Sequence, residues 1–162
     1  FEYLKEISQD YLFLMKEKGL PNVVGVEIGY DFELAKGINV RGYIDRIDKI
    51  SDTHYKVVDY KTSKSARYLK PFQLLVYALA IKRMHPEVEE VSGSFMLLKH
   101  GFREIDYSFG TMDIENTFNS IIKTAGLIRG AKSWPKKPTR LCDYCDYNSI
   151  CLGKWTEEDN EG

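Results

Sequence analysis

Two carboxylates and a lysine lie close together in the middle of the sequence. Asp59 and Lys61 occur in VVDYKTS (57–63), and Asp45 occurs in GYIDRID (42–48). Because side chains alternate between the two faces of a strand, Asp59 and Lys61 share one face, with their Cα atoms ~7 Å apart. An unpaired carboxylate in an apolar strand is costly, so the site should contain a partner for Asp59. Lys61 and a divalent cation are both candidates, and the two are compatible.

The segments that carry these residues are predicted to pair as a hairpin. With a turn at SDTH (51–54) centred near Asp52, paired positions sum to about 104, which places Asp45 opposite Asp59. Opposed side chains lie ~5 Å apart, and two carboxylates at that distance repel each other unless a cation lies between them. Mg²⁺ or Mn²⁺, bound by one or two carboxylates, waters and substrate phosphates, meets this need. The backbone carbonyl of Tyr60 is a further candidate ligand.

A metal site of this kind predicts hydrolytic chemistry. The ion would lower the pKa of a bound water and stabilise charge on a phosphoryl oxygen. Lys61 would orient or help to deprotonate that water, and would neutralise developing negative charge. The alternative is a surface ion pair between Asp59 and Lys61, or between Asp59 and a neighbour, on a half-exposed strand. The offset of Asp45 favours the metal site over that alternative.

Composition is that of a globular domain with an uneven charge distribution. The 162 residues are 43% hydrophobic and 29% charged, with a formal net charge of −1. There is no run of ~18 apolar residues and no signal-peptide pattern, so we expect no membrane association. The three cysteines, all within 142–151, do not resemble a secreted disulfide framework, so we expect the cytoplasm of a bacterial, archaeal or phage-infected cell. Cations are concentrated in 61–70 and 134–140. We expect one domain over residues 1–155, with a cysteine-bearing segment at 134–155 and an acidic, disordered tail at 156–162.

Hydrophobic periodicity predicts the elements that must position these residues. The first three strands read as an antiparallel meander, and the last strand is expected to pair with the fourth across Gly101. This order predicts an α/β fold of the α+β type, with a central mixed sheet of about five strands flanked by helices. The predicted bounds are a helix at 1–18, strands at 23–34, 40–50 and 55–63, a helix at 71–84, strands at 88–100 and 102–110, and a helix at 112–129.

Three motifs, in this order, resemble the PD-(D/E)XK nuclease superfamily: GYIDRID, VVDYKTS and QLLVY (73–77). The branch it resembles most is the RecB-type nuclease domain, together with CRISPR-adaptation nucleases and phage exonucleases. The resemblance covers residues 23–151 and implies a restriction-endonuclease-like core. It also implies that Asp45 and Asp59 bind metal and that Lys61 is the catalytic lysine.

Three further residues match the family's pattern in position. Gln73 and Tyr77 match a Q-x-x-x-Y motif and share one face of a predicted helix. They would orient Lys61 or contact the nucleic acid, or else they simply pack on the sheet. Glu27 matches an accessory metal-binding acid, with an exposed charge on an edge strand as the alternative.

Three cysteines lie close together in CDYCDYNSIC (142–151), with the spacing Cys-x2-Cys-x5-Cys. Three neighbouring thiols favour a metal site, but zinc and iron–sulfur sites usually need four ligands. The resemblance implies that Cys142, Cys145 and Cys151 join an upstream cysteine around a [4Fe-4S] cluster. Zinc, or free thiols, are the alternatives. The family's upstream histidine has no match either, so we expect that this chain, which starts at Phe1, lacks an upstream segment.

Basic residues follow the catalytic strand at three-residue spacing. Lys64, Arg67 and Lys70 are candidates to bind substrate phosphates, with a solvated basic loop as the alternative. Such contacts are mostly independent of base sequence.

Taken together, the motifs predict a Mg²⁺- or Mn²⁺-dependent DNA nuclease. The branch favours an exonuclease, or an enzyme that processes DNA ends in recombination, repair or CRISPR adaptation. Single-stranded DNA or DNA ends would be its substrate, and a helicase or recombination protein its partner. An inactive DNA-binding or scaffold module with the same fold is one alternative, and a structural protein built around the cysteines is another.

Overall fold

The computed structural model describes residues 2–63, 66–67 and 69–151. Lys64 and the acidic tail at 156–162, both singled out in the sequence, lie outside these residues. Contacts divide the chain into two units, residues 1–125 and 126–162. The first unit contains the whole sheet and the candidate catalytic residues.

The observed elements follow the predicted order of one helix, three strands, a helix, two strands and a helix. Of the helices formed by the described residues, none is long and apolar enough to cross a membrane. Short 3-10 turns occupy Leu98–His100 and Arg140–Tyr144. The elements are α1 (Glu2–Lys18), β1 (Val23–Ala35), β2 (Ile38–Lys49), β3 (His54–Lys61), α2 (Phe72–Met84), β4 (Glu90–Leu97), β5 (Arg103–Ser108), α3 (Thr111–Gly130) and α4 (Asn148–Cys151).

The five strands form one mixed sheet in the order β1-β2-β3-β4-β5. All neighbouring pairs are antiparallel except β3 and β4, which are parallel. A parallel pair needs a crossover connection, and α2 provides it between β3 and β4. The predicted α+β architecture, the antiparallel meander and the pairing of the last two strands are therefore confirmed.

Helices cover both faces of the sheet. We call the side on which α2 packs the α2 face, and the opposite side the α1 face. On the α1 face, Ile7, Tyr11 and Leu14 pack against Val58, Met96 and Phe102. On the α2 face, a second set of buried side chains forms the α2-face core, and Ile114 of α3 packs against it. The buried residues of the α2-face core include Tyr30, Ile44, Ile47, Val57, Leu74, Tyr77, Ile81 and Phe95.

The hairpin between β2 and β3 has the register that the sequence predicts. Arg46 lies opposite Val58, and Ile47 lies opposite Val57. Asp45 is one residue beyond the last pair of the described ladder. Since Val57 and Asp59 alternate with Val58, Asp59 faces α2 and Val58 faces α1.

The regular alternation of β2 is broken at Asp45, which the sequence pattern did not predict. Ile44 and Ile47 are three residues apart, yet both belong to the α2-face core. The alternation of side chains between the two faces therefore shifts by one residue between them. Glu27 of β1 is at the corresponding position in the β1–β2 register and has φ of +50°. A left-handed backbone costs a residue with a Cβ atom ~1–2 kcal/mol. The two strands are thus distorted together at the position of a candidate metal ligand.

Candidate active site

Four side chains from β3 and α2 form a closed ring of polar contacts. Lys61 Nζ lies 2.6 Å from Asp59 Oδ2 as an ion pair, and it donates to Gln73 Oε1 at 2.8 Å. Gln73 Nε2 donates to Tyr77 OH at 2.7 Å, and Tyr77 OH donates to Asp59 Oδ1 at 3.3 Å. Each of the four groups is therefore held by two others.

Local structure explains why these four groups meet. Asp59 and Lys61 are two residues apart on β3 and point to the α2 face. Gln73 and Tyr77 are four residues apart on α2 and lie one above the other. The Gln73 amide has only one useful orientation, because an ammonium group can donate but not accept hydrogen bonds. Phe95 lies beside this ring of contacts, with its ring centroid 5.4 Å from Lys61 Nζ.

Asp45 joins the site from β2. Its Oδ2 accepts a hydrogen bond of 2.9 Å from the backbone N–H of Tyr60, the residue between Asp59 and Lys61. The negative charge of Asp45 also raises the pKa of Asp59, so the two carboxylates interact. Three candidate residues on two strands are thereby brought to one place, as the hairpin register predicts.

The contacts of the Asp59 carboxylate do not fully offset the free-energy cost of its burial. The residue is 2% exposed, and burial raises its pKa. The Lys61 ammonium and the Tyr77 hydroxyl lower this pKa and Asp45 raises it, but the net direction is upward. Burial also raises the pKa of Tyr77, which keeps its hydroxyl protonated as a donor to Asp59. Additional positive charge at this position would therefore stabilise the ionised carboxylate.

The site also has an oxygen atom that is suited to a further ligand. Asp59 Oδ2 is buried, and no hydrogen-bond donor among the described residues is correctly aligned with it, although Lys61 is close enough to form an ion pair. Mg²⁺ and Mn²⁺ favour carboxylate oxygens and retain waters or bind substrate phosphates. Within residues 2–63, 66–67 and 69–151, no three His, Cys, Asp or Glu side chains form a metal-binding group. Asp45 and Asp59 fit an ion whose remaining ligands are waters or substrate oxygens.

A sequence model of the PD-(D/E)XK nuclease superfamily matches residues 2–152. The chain belongs to this superfamily. The match covers most of the sequence, including all three motifs, and it confirms the family predicted from them. Several bacterial helicase/deoxyribonuclease proteins are also similar to about half of this chain.

Two of these relatives show the extent of that similarity. An ATP-dependent helicase/deoxyribonuclease protein of Streptococcus mutans is 31% identical over 85 residues, which are 49% of this chain and 8% of that protein. Its counterpart of the same name in Streptococcus agalactiae serotype Ia is 32% identical over 95 residues, which are 55% of this chain and 9% of that protein. The chain thus spans less than a tenth of the length of these curated relatives.

A solved structure supports the fold. The crystal structure of SSO0001 has a TM-score of 0.54 and 21% sequence identity, and the match covers 96% of this chain and 79% of that chain. At this level of identity the likeness concerns the fold alone.

Glu27 of this PD-(D/E)XK chain is adjacent to the site by register but is exposed. It lies on the edge strand β1, level with Asp45 between the pairs Val26–Arg46 and Ile28–Ile44, and the ring of polar contacts does not include it. The two acidic side chains within or beside the ring of polar contacts are Asp59 and Asp45, and the accessory role of Glu27 stays a prediction.

His54, a histidine on the catalytic strand, is not part of the ring of polar contacts. It starts β3, five residues before Asp59, and its Nε2 lies 2.8 Å from Ser92 Oγ.

Arg67 and Lys70 lie in the connection between β3 and α2. Both residues are exposed, and their connection joins Lys61 to Gln73 along the chain. Lys64 belongs to the same connection but lies outside the described residues. The basic connection is thus attached at both ends to the ring of polar contacts.

The three cysteines belong to the second unit. Cys142 Sγ accepts a hydrogen bond of 3.2 Å from the backbone N–H of Thr139. Cys145 and Cys151 are exposed, and all three thiols are free. In the described part of the chain they do not form a metal-binding group with any His, Cys, Asp or Glu. The described residues therefore do not fit a closed four-ligand site, and the [4Fe-4S] cluster and the zinc alternative stay predictions from the resemblance.

Sequence reasoning missed one part of the site, on the α1 face. The side chains of Arg46 and Asp48 form a buried ion pair there, and Arg46 also contacts the hydroxyl of Tyr60. Arg46 and Asp48 are two residues apart on one strand, so the sequence does indicate that they share a face. It does not indicate that this face is buried, because α1, which packs there, is distant in sequence.

Proposed function

We propose that this chain is a metal-dependent deoxyribonuclease that hydrolyses phosphodiester bonds. The observation that supports this most directly is the ring formed by Asp59, Lys61, Gln73 and Tyr77, with Asp45 beside it. A surface ion pair would not need a buried carboxylate or a helix that holds the lysine in place. These features are expected where a charge has to be kept at one position for a reaction.

Asp45 and Asp59 are the proposed ligands of a Mg²⁺ or Mn²⁺ ion, with the carbonyl of Tyr60 as a third candidate. When bound, such an ion lowers the pKa of a bound water and stabilises charge on a phosphoryl oxygen. The protein's own contribution is to keep both carboxylates in place. Tyr60 N–H holds Asp45, and Tyr77 OH holds Asp59.

Lys61 is the proposed catalytic lysine. Its side chain is 26% exposed, so the ammonium group can reach a substrate while Asp59 and Gln73 restrict its position. An ammonium group has three N–H donors, and those two contacts do not use its full capacity. Lys61 would donate to a phosphoryl oxygen or to the attacking water, and it would offset negative charge as the bond breaks.

Single-stranded DNA or DNA ends are the proposed substrate. Arg67 and Lys70, with Lys64, would bind phosphates on either side of the scissile bond, and such contacts do not read base sequence. The names of the streptococcal relatives combine a helicase with a deoxyribonuclease. On that basis we infer that this chain acts beside a helicase. The family resemblance favours DNA ends in recombination, repair or CRISPR adaptation, in the cytoplasm.

Cleavage of an end-labelled single strand in the presence of Mn²⁺ tests this proposal. Asp59→Ala and Lys61→Ala should each reduce the rate ~10²-fold or more, because each removes charge stabilisation at the reacting phosphate. Asp52→Ala and Lys49→Ala are matched controls, since these two residues form a solvent-accessible ion pair on the same hairpin and should leave the rate unchanged. Equal rates in all five proteins would refute the proposal and favour a non-catalytic DNA-binding module.

A further inference from the structure

A buried polar cluster lies on the α1 face of the sheet, directly behind the candidate active site. Arg46 Nη2 lies 2.9 Å from Asp48 Oδ2, and Arg46 Nη1 donates to Tyr60 OH at 3.0 Å and to Tyr11 OH at 3.2 Å. Arg46 is 4% exposed and Asp48 is 3% exposed. One guanidinium group thus connects β2, β3 and α1.

Stability alone does not explain this cluster well. A buried ion pair gains little over apolar side chains of the same volume, because both charges lose their hydration. Here Arg46 Nε and Asp48 Oδ1 also have no hydrogen-bond partner among the described residues. Since such unsatisfied groups weaken the fold, the cluster is better explained by the geometry that it imposes.

Tyr60 links the cluster to the candidate metal site. Its hydroxyl accepts the hydrogen bond from Arg46 on the α1 face, and its backbone N–H donates to Asp45 Oδ2. Arg46 is the residue after Asp45 on β2. Neighbouring segments of β2 and β3 are therefore joined twice, once through the Arg46 and Tyr60 side chains and once through the carboxylate of Asp45.

The position of this link is significant because β2 is irregular there. Alternation breaks at Asp45, and the described pairs of the β2–β3 ladder end at Arg46 and Val58. The described β2–β3 ladder therefore does not extend to Asp45, although β1 pairs with Ile44 and Arg46 on either side of it. The bond between Arg46 and Tyr60 is a side-chain contact between β2 and β3 on the α1 face, next to Asp45. The backbone of Tyr60 is also paired with Met96 of β4.

We propose that Arg46, acting through Tyr60, is a positioning residue for Asp45. It holds the Tyr60 amide where Asp45 needs a donor, and so it orients a carboxylate whose role as a metal ligand rests on the proposed function above. Tyr11 bonds to the same guanidinium group but belongs to α1, so it supports the packing of the helix and not the position of Asp45.

Tyr60→Phe and Tyr11→Phe make a matched pair to test this. Each substitution removes one tyrosine hydroxyl that accepts a hydrogen bond from the Arg46 guanidinium group, and each keeps the aromatic ring. Two measurements apply to the whole chain: hydrogen exchange of the Tyr60 amide without metal, and the Kd for Mn²⁺ by calorimetry. Tyr60→Phe should accelerate exchange at residue 60 and raise the Kd about tenfold, as is usual when a group that orients a metal ligand is lost.

Tyr11→Phe should leave both quantities within about twofold of the wild type, since it removes no group that orients a ligand. If the two variants change exchange at residue 60 equally, or if neither changes it, Arg46 does not position Asp45 and the inference is wrong. If the wild type binds no Mn²⁺, the proposed function fails, while the exchange measurement still decides whether Arg46 positions Asp45.

Discussion

At the scale of single residues, the site combines burial with charge. Asp59 is buried and its pKa is raised even though Lys61 and Tyr77 both favour its ionised form. Without metal, the ionised form of this carboxylate is therefore less favourable in the folded protein than in water. An ion that binds there recovers free energy that the fold alone does not. Asp59 thus weakens the metal-free fold and, in the same way, favours metal binding.

The first prediction concerns Asp59→Asn in the presence of a chelator. The pKa of Asp59 in the folded protein lies above its ordinary value of 3.8, so the folded state binds the proton more tightly than the unfolded state. The contribution of the Asp59 carboxyl to the free energy of unfolding is therefore fully present below about pH 3.8, where the group is protonated. It is lost as pH rises through the raised pKa. Asp59→Asn should unfold at a higher urea concentration than the wild type at neutral pH, and the difference should vanish at low pH.

Urea unfolding at a series of pH values measures this difference. Mn²⁺ should stabilise the wild type and leave Asp59→Asn unchanged, since a neutral amide is a poorer ligand than a carboxylate. A wild type that is more stable than Asp59→Asn at neutral pH without metal would contradict the prediction, because the ion pair with Lys61 would then outweigh burial.

The second prediction concerns Gln73, which joins Lys61 to Tyr77. Gln73→Ala should lower kcat up to ~10²-fold, because a lysine misplaced by about 1 Å loses much of its effect. The free energy of unfolding should change little, since Gln73 is exposed. Gln9→Ala, at an exposed position of α1, is the matched control. A kcat equal to that of the control would show that the ring does not orient Lys61.

At the scale of elements, the site depends on an irregularity in two neighbouring strands. The alternation of side chains between the two faces shifts by one residue at Glu27 in β1 and at Asp45 in β2. Glu27 adopts a positive φ there. A regular strand would continue the alternation of the residues before it and would move Asp45 away from Asp59. The irregularity therefore lets β2 supply apolar side chains to the α2-face core on both sides of Asp45.

The third prediction uses this strained position. Glu27→Gly should be more stable than Glu27→Ala by ~1 kcal/mol, because glycine adopts a positive φ without steric conflict and alanine does not. Thermal unfolding of the two variants measures the difference. Their Mn²⁺ affinities test the accessory-acid prediction separately: values equal to the wild type would show that Glu27 is not a ligand.

At the scale of the whole molecule, attraction to DNA has to be local. The net charge of −1 provides no general attraction for a polyanion. The basic connection between β3 and α2 supplies local positive charge next to Lys61. This connection would therefore hold a substrate close to the reacting groups.

The fourth prediction is that Lys70→Ala weakens binding of single-stranded DNA equally for all sequences. It should also reduce the slope of log Kd against log salt concentration by about one ion, because one phosphate contact is lost. The measurement is best made in an Asp59→Asn background to prevent cleavage. Lys123→Ala, at an exposed position of α3, is the control, and an equal slope in both variants would remove Lys70 from the substrate-binding surface.

Much of the site could be predicted from the sequence because its contacts are local. Asp59 and Lys61 lie on one strand, Gln73 and Tyr77 lie on one helical face, and a short turn sets the register that brings Asp45 near Asp59. Each of these relations depends on a period of two or 3.6 residues or on a four-residue turn. Such geometry follows from the backbone alone, so pattern and motif were sufficient to predict it.

Only the tertiary structure showed the strained Glu27 and the burial of Arg46 with Asp48. The burial of Arg46 and Asp48 depends on α1, which is distant from β2 in sequence, and no periodic pattern records which face a helix will cover. The positive φ of Glu27 belongs to an irregularity between β1 and β2 that the hydrophobic pattern does not show. Tyr60 shows the difference most clearly. The sequence determined that its backbone lies between Asp59 and Lys61, but only packing decided that its hydroxyl meets Arg46, because that contact depends on which elements meet across the sheet.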